Sequence, residues 1–224
     1  MNNYEIGSYV TFGKYMQSSD ELEPIEWLIL DKKDDELLVI TKHVIEYMQF
    51  CKYCDRSPFW DKSDIRQWLN DDFIKIAFSE EEQSQLVEKL VDNTEYAFPK
   101  RERGEDTLDK VFLLSVFEAQ QYFGDDRMRL SCPTEHNYKL VKQKFEDCMK
   151  RLSRPTEHVK KKGMPKPAPW EHSDWCDWIC RTIADFRGCI SYVSDGGGIH
   201  LQTWGNYLDK NHGIRPAMWI KIAQ

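Results

Sequence analysis

Apolar and polar positions alternate in short runs at the two ends of the chain and fall into three- and four-residue spacing in its middle. Residues 5–15 (EIGSYVTFGKY) have strand composition punctuated by Gly7 and Gly13. After Pro24, two apolar runs flank the charged stretch 31–35. This pattern predicts an antiparallel hairpin with strands near 25–30 and 37–41. Residues 46–60 are irregular, aromatic and Cys-bearing, and read as a packed loop.

From Asp61 the period changes. Ile65, Trp68, Leu69, Phe73 and Ile76 recur as one helical face requires, with Asp61 or Ser63 as the cap. Ser79 followed by Glu82 is a capping-box pattern, and Leu86, Leu90 and Val91 continue on one side of the helix it predicts. Residues 100–110 are highly charged and read as an exposed connection, and 111–114 as a short buried strand. Ser115 and Glu118 form a second capping box, opening a helix through Tyr122 that Gly124 ends. Helical spacing returns over 136–152. The next stretch, 153–171, combines four Pro with Lys160, Lys161 and Lys162, and is expected to be a mobile basic insertion within a single domain spanning 1–224. The last fifty residues read as short aromatic strands separated by Gly- and Asn-bearing turns. The fold class is therefore α+β, with strands at both ends and helices between.

Composition narrows the function classes. The 224 residues carry a net charge of −7, which argues against a protein that neutralises a phosphate backbone, so nucleic acid is not an expected partner. No apolar run is long enough to cross a bilayer, and the N-terminus has neither the basic nor the apolar region of a signal peptide. Seven Cys, an odd number, fit a reducing compartment, so the expected location is cytoplasmic.

Several blocks together resemble a bacterial domain family of unknown function. Its closing G-[VI]-R-P-A-[LM]-W motif is matched by residues 213–219 (GIRPAMW). Trp60 followed by Ile65-Arg66-Gln67-Trp68-Leu69-Asn70 resembles a second block, and Cys132-Pro133-Thr134 a third. Residues 175–182 (WCDWICRT) depart from the Trp-rich run and L-R-S-P-G of the family. The resemblance implies a C-type-lectin-like fold: terminal strands paired in one antiparallel sheet, helices in the middle, and a late aromatic sheet with long loops.

Chemistry is sparse. In the closing block, Pro216 removes a backbone donor and suits a sheet edge or the start of a strand. Arg215 beside it could anchor a ligand through its bidentate fork, but the block looks built for packing, so Arg215 is expected to tie the last strand to the helices through Asp71, Asp72 or another acid. Arg66, Trp68 and Trp219 are read as structural in the same way. Cys51-x-x-Cys54 has zinc-like spacing, and Cys176 with Cys180 would complete a tetrahedral set, so zinc stands as an alternative beside the expectation of no cofactor. There is no HExxH, no G-x-S-x-G elbow, no phosphate loop, and no calcium–sugar triplet. What remains is aromatic surface. Trp175, Trp204 and Tyr207 are the rings expected to be exposed, with Trp178 and Arg181 beside them, on loops around 171–182 and 194–212. The expected function is a non-catalytic module that recognises a glycan, peptide or protein there. A cysteine-based enzyme or redox protein and a structural partner domain of a larger complex are the alternatives.

Overall fold

The structure is a computed structural model that describes residues 4–18, 21–52, 59–93, 104–124, 151–164, 176–183, 190–195, 197–200 and 211–222. The first strands are β1 (Tyr9–Met16), β2 (Leu22–Lys33), β3 (Glu36–Thr41) and β4 (Glu46–Gln49). Along β2 the residues Ile25, Trp27 and Ile29 are buried between more exposed neighbours, the period-two pattern of a strand with one face on the core. In β3 both faces are covered from Leu37 to Thr41. Asp34, at φ 51°, turns β2 into β3, a conformation that Asp tolerates better than most residues.

The helical region is broken into short pieces: a 3₁₀ turn Trp60–Lys62, α1 (Asp64–Trp68), a π segment Leu69–Phe73, α2 (Ile74–Ala77) and α3 (Glu80–Gln85). Ser63 caps α1 through the N–H of Arg66 at 3.2 Å. Both capping boxes form, Ser79 with Glu82 and Ser115 with Glu118. The strands β5 (Leu86–Val87), β6 (Lys89–Val91), β7 (Thr107–Asp109) and β8 (Val111–Phe112) follow, then α4 (Val116–Phe123) and α5 (Glu157–Lys161). The late strands are β9 (Trp178–Ile183), β10 (Ile190–Val193), β11 (Ile199–His200), β12 (Asn211–Ile214) and β13 (Ala217–Lys221).

The fold is α+β and rich in strands. The main antiparallel sheet runs β1-β2-β3-β13-β5, with β8 also on β13. The last strand thus lies inside the sheet begun by the first three: Ala217 faces Ile40 and Trp219 faces Leu38 on one side, with Phe112 and Val87 as their partners on the other. Pro216 immediately precedes β13, where its missing N–H breaks no ladder bond, and its carbonyl accepts from the Thr41 N–H at 3.0 Å. The smaller sheets are β11-β10-β9, β12-β4 and β6-β7.

Several expectations change. Residues 46–49 are a strand, β4, paired with β12, not loop. The helix expected to run through Val91 stops at Gln85, because Leu86 and Val87 pair with β13, and Leu90 lies 66% exposed on β6. The charged connection before Val111 contains β7, whose Asp109 is buried. Residues 153–164 belong to the stretch expected to be a mobile insertion; there Ser153, Thr156 and Val159 are buried and α5 forms behind a Thr156 cap, while 165–171 lie outside the described residues. The helix expected over 136–152 falls almost wholly outside the described residues.

Candidate functional site

Four local features of the backbone create a cavity beside β2. A bulge between Ile29 and Asp31 breaks the strand alternation, so that Leu30 is buried as well as Ile29. Gly7, at φ 89°, lets the N-terminal segment turn back and donate its N–H to the Ile29 carbonyl at 2.9 Å. The chain leaving β3 is held at Val44, whose N–H donates to Arg154 and whose carbonyl accepts from Thr156. Ser153 donates its hydroxyl to the Lys42 carbonyl at 3.1 Å. These ties leave a space of about 650 Å³, lined by Ile6, Gly7, Tyr9, residues 28–30, Lys42, His43, Tyr122, Phe123, Leu152, Arg154 and Arg215. That volume is in the range of small-molecule sites.

Arg215 dominates the wall. It is almost fully buried, yet forms no ion pair with a carboxylate among the described residues. Its Nε donates to the Thr41 carbonyl at 2.8 Å and its Nη1 to the Arg151 carbonyl at 3.3 Å. The guanidinium lies 5.5 Å from the ring centroid of Phe123 and 5.2 Å from that of Trp178. Burial lowers its pKa to about 10, which still leaves it charged at neutral pH. The acid partner expected for Arg215 is replaced by carbonyls and aromatic faces.

The other charged side chains of the described lining, Lys42 and Arg154, have the same sign. Lys42 lies 5.1 Å from the Tyr9 ring centroid and pairs with Glu26 at 2.6 Å. His43 holds a buried Nδ1 with no hydrogen-bond partner, and burial, with Lys42 next in size, lowers its pKa and favours the neutral ring. Burial pushes the Tyr122 phenol up to about 12, so it too stays neutral. Among the described lining residues there is no Asp or Glu.

The comparison with protein families bears on nearly the whole chain: residues 34–222 match the domain of unknown function DUF6273. The chain belongs to that family. No curated protein and no solved structure matches it. In this DUF6273 chain β1 and β2 precede the matched span, yet they sit in the same sheet as β13 and supply one wall of the cavity.

The residues singled out from the sequence fall in different places. Trp178 is fully buried (0% exposed), its indole N–H donating to the Arg151 carbonyl at 3.0 Å, so it is a core ring and not an open one. Arg181 is 4% exposed and bonded to Leu113, Asp92 and both oxygens of Glu118, so it clamps β9 to the start of α4. Trp175, Trp204, Tyr207 and Cys54 lie outside the described residues. Arg66 pairs with buried Asp109 at 2.7 Å. Trp68 packs against Tyr15 and Phe73, and Trp219 lies in the core with Lys33 and Lys89 each 5.3 Å from its ring centroid.

Cys51 is disulfide-bonded and has no thiolate to offer a metal. Cys176 and Cys180 are free and buried, with Cys180 in β9 and Cys176 two residues before it. Among the described residues no group of three His, Cys, Asp or Glu could hold a metal.

A second polar cluster, also unnoticed in the sequence, surrounds buried Glu46. It accepts from the Tyr15 hydroxyl at 2.9 Å and from Lys162 at 2.7 Å on each oxygen, with His158 Nε2 at 3.6 Å. These contacts tie β1, β4 and the end of α5 together. The carboxylate is fully satisfied by its neighbours, which is the mark of a fastening.

Proposed function

We propose that this chain is a non-catalytic recognition module that holds a small organic ligand in the cavity beside β2. One observation carries the reading: a buried guanidinium, Arg215, lines a cavity of about 650 Å³ with no carboxylate among the described residues to neutralise it. A buried charge is costly unless it is paired, and a bound group of opposite sign would supply the pairing. The ligand position expected from the sequence, on the late loops, loses the support of Trp178 and Arg181, which serve the core. The alternative of a reactive cysteine is weakened at Cys176 and Cys180, where burial raises both thiol pKa values.

A C-type-lectin-like plan belongs to the same proposal, supported by the last strand lying beside the early hairpin in one antiparallel sheet. The free thiols Cys176 and Cys180 support a reducing, cytoplasmic setting, against which stands the disulfide at Cys51. Among the described residues no helix is long and apolar enough to cross a membrane.

The reading is tested by incubating the full chain with a mixture of small organic acids, amides, alcohols and free sugars, desalting rapidly, and identifying what stays bound by mass spectrometry. The expected result is one compound retained per chain and recovered unchanged. Retention of nothing, or recovery of a chemically altered compound, overturns it.

A further inference from the structure

We infer that the cavity beside β2 is built for a monocarboxylate with an apolar body, its carboxylate seated against Arg215. The inference rests on the recognition reading above and names the ligand class for that same cavity. Three observations carry it.

The first is the state of the Arg215 fork. Nε and Nη1 are spent on the carbonyls of Thr41 and Arg151, whereas Nη2 makes no hydrogen bond among the described residues, and the residue lines the cavity. A guanidinium held by two carbonyls and two ring faces has a fixed orientation, so its remaining donors are held in place before any ligand arrives. A carboxylate oxygen is the acceptor that gains most from such donors, because the hydrogen bond is charge-assisted.

The second is the sign of the surroundings. Lys42 and Arg154 join Arg215 in the lining, and the described lining holds no carboxylate that would repel an anion. The Glu26 that pairs with Lys42 is itself outside the lining. A cation or zwitterion with an exposed ammonium therefore finds no carboxylate partner among the described lining residues.

The third is the character of the remaining wall. Leu28, Leu30, Leu152 and Phe123 offer apolar surface to the ligand body. A compact dianion such as phosphate would leave that surface unused. A carboxylate on an aliphatic or aromatic body uses both parts of the cavity.

The test is calorimetric titration of the full chain with octanoate, 3-phenylpropionate and indole-3-acetate, each beside its primary amide, with inorganic phosphate as a further ligand, at constant ionic strength. At least one acid is expected to bind with one-to-one stoichiometry and about tenfold or more above its amide, the scale of a lost charge-assisted hydrogen bond. The cavity-filling variant Leu28→Trp, which leaves Arg215 in place, is expected to abolish that binding. Its thermal unfolding midpoint shows whether it remains folded, and Leu152→Phe serves as a second filling variant from another segment of the lining. Equal binding of acid and amide, tighter binding of phosphate than of any acid, or unchanged binding in both folded variants overturns the inference. Binding of the neutral amides alone, lost in the filled variants, overturns the carboxylate assignment and leaves the recognition module standing. Absence of binding by every compound here, together with retention of nothing from the broader mixture, removes both.

Discussion

The guanidinium of Arg215 lies 5.2 Å from the centroid of the Trp178 indole, and the indole N–H shares the Arg151 carbonyl with it as a hydrogen-bond acceptor. A residue just before β13 and the first residue of β9 thus depend on one carbonyl, so the closing motif is locked to the late sheet. The arrangement demands a planar, delocalised cation, because the same group must stack on a ring while donating sideways to two carbonyls. Arg215→Lys keeps the charge but loses the plane and the fork. We expect it to lower unfolding free energy by about 2–4 kcal/mol, the scale of a broken buried charge network, read as a lower urea midpoint. An unchanged midpoint would show that the fork is idle.

His43 gives the acid side of stability a specific contributor. Its pKa is lowered by burial first, then by Lys42, with Arg215 and Arg154 adding and Glu26 opposing. The unfolded chain takes up this proton near pH 6.5 and the folded chain only below that. The contribution of His43 is therefore complete above about pH 6.5 and is lost as pH falls through the folded value. Urea midpoints at pH 7.5 and 5.5 should fall further for the natural chain than for His43→Asn, which cannot titrate. Parallel falls would show that His43 is not a contributor.

Local signals were legible in the sequence where chemistry is local. The cap at Ser63, the two capping boxes, the hairpin and the end of α4 at Gly124 depend on residues within a few positions of one another, and all appear. Errors arose where a distant partner decided. Leu86 and Val87 have helical spacing, but β13 recruits them as a strand. Residues 46–49 look irregular until β12 pairs with them. The cavity was invisible for the same reason: its wall is drawn from positions near 7, 29, 43, 123, 153 and 215, which no spacing rule connects. Arg215 could be singled out from its motif, but its role depends on which carbonyls and rings happen to surround it.

Cys176 and Cys180 should be silent thiols. Burial is the largest cause raising both, and takes Cys180 to about 12, so almost no thiolate exists at pH 8. Iodoacetamide at that pH should leave both unmodified in the native chain and label both in urea, as read by peptide mass spectrometry. Native labelling of Cys180 at the rate of an exposed thiol would restore the cysteine-enzyme alternative.

Gly13 sits at φ 68° where β1 bulges against β2. A Cβ there would come within 2.5 Å of the Phe78 ring and 2.7 Å of the Ala77 carbonyl. Both the backbone conformation and the space oppose a side chain. Gly13→Ala should cost about 2 kcal/mol or more of stability. The Gly13 N–H also donates to Glu82 at 3.0 Å, so amide exchange at Gly13 and Ser79 should quicken together in the variant.

Asp109 is a buried anchor outside the cavity lining. Its buried carboxylate accepts from the Trp60 indole at 2.8 Å, the Thr107 hydroxyl at 2.6 Å and Arg66 Nε at 2.7 Å. Each donor lies on a different element or strand position, so one charge joins the 3₁₀ turn, α1 and β7. Asn70 continues the same seam, donating to the Val111 carbonyl at 2.8 Å and accepting the Lys110 N–H at 2.9 Å. Asp109→Asn preserves shape but removes the charge, and its amide turns a donor toward a site already occupied by donors. The loss should be about 3 kcal/mol, because Trp60 and Arg66 cannot both recover an acceptor. Arg66→Met in the same background should then cost less than it does alone, the signature of two residues serving one interaction. Strictly additive losses in that double-mutant cycle, measured by urea unfolding, would show that Arg66 and Asp109 act independently despite their contact.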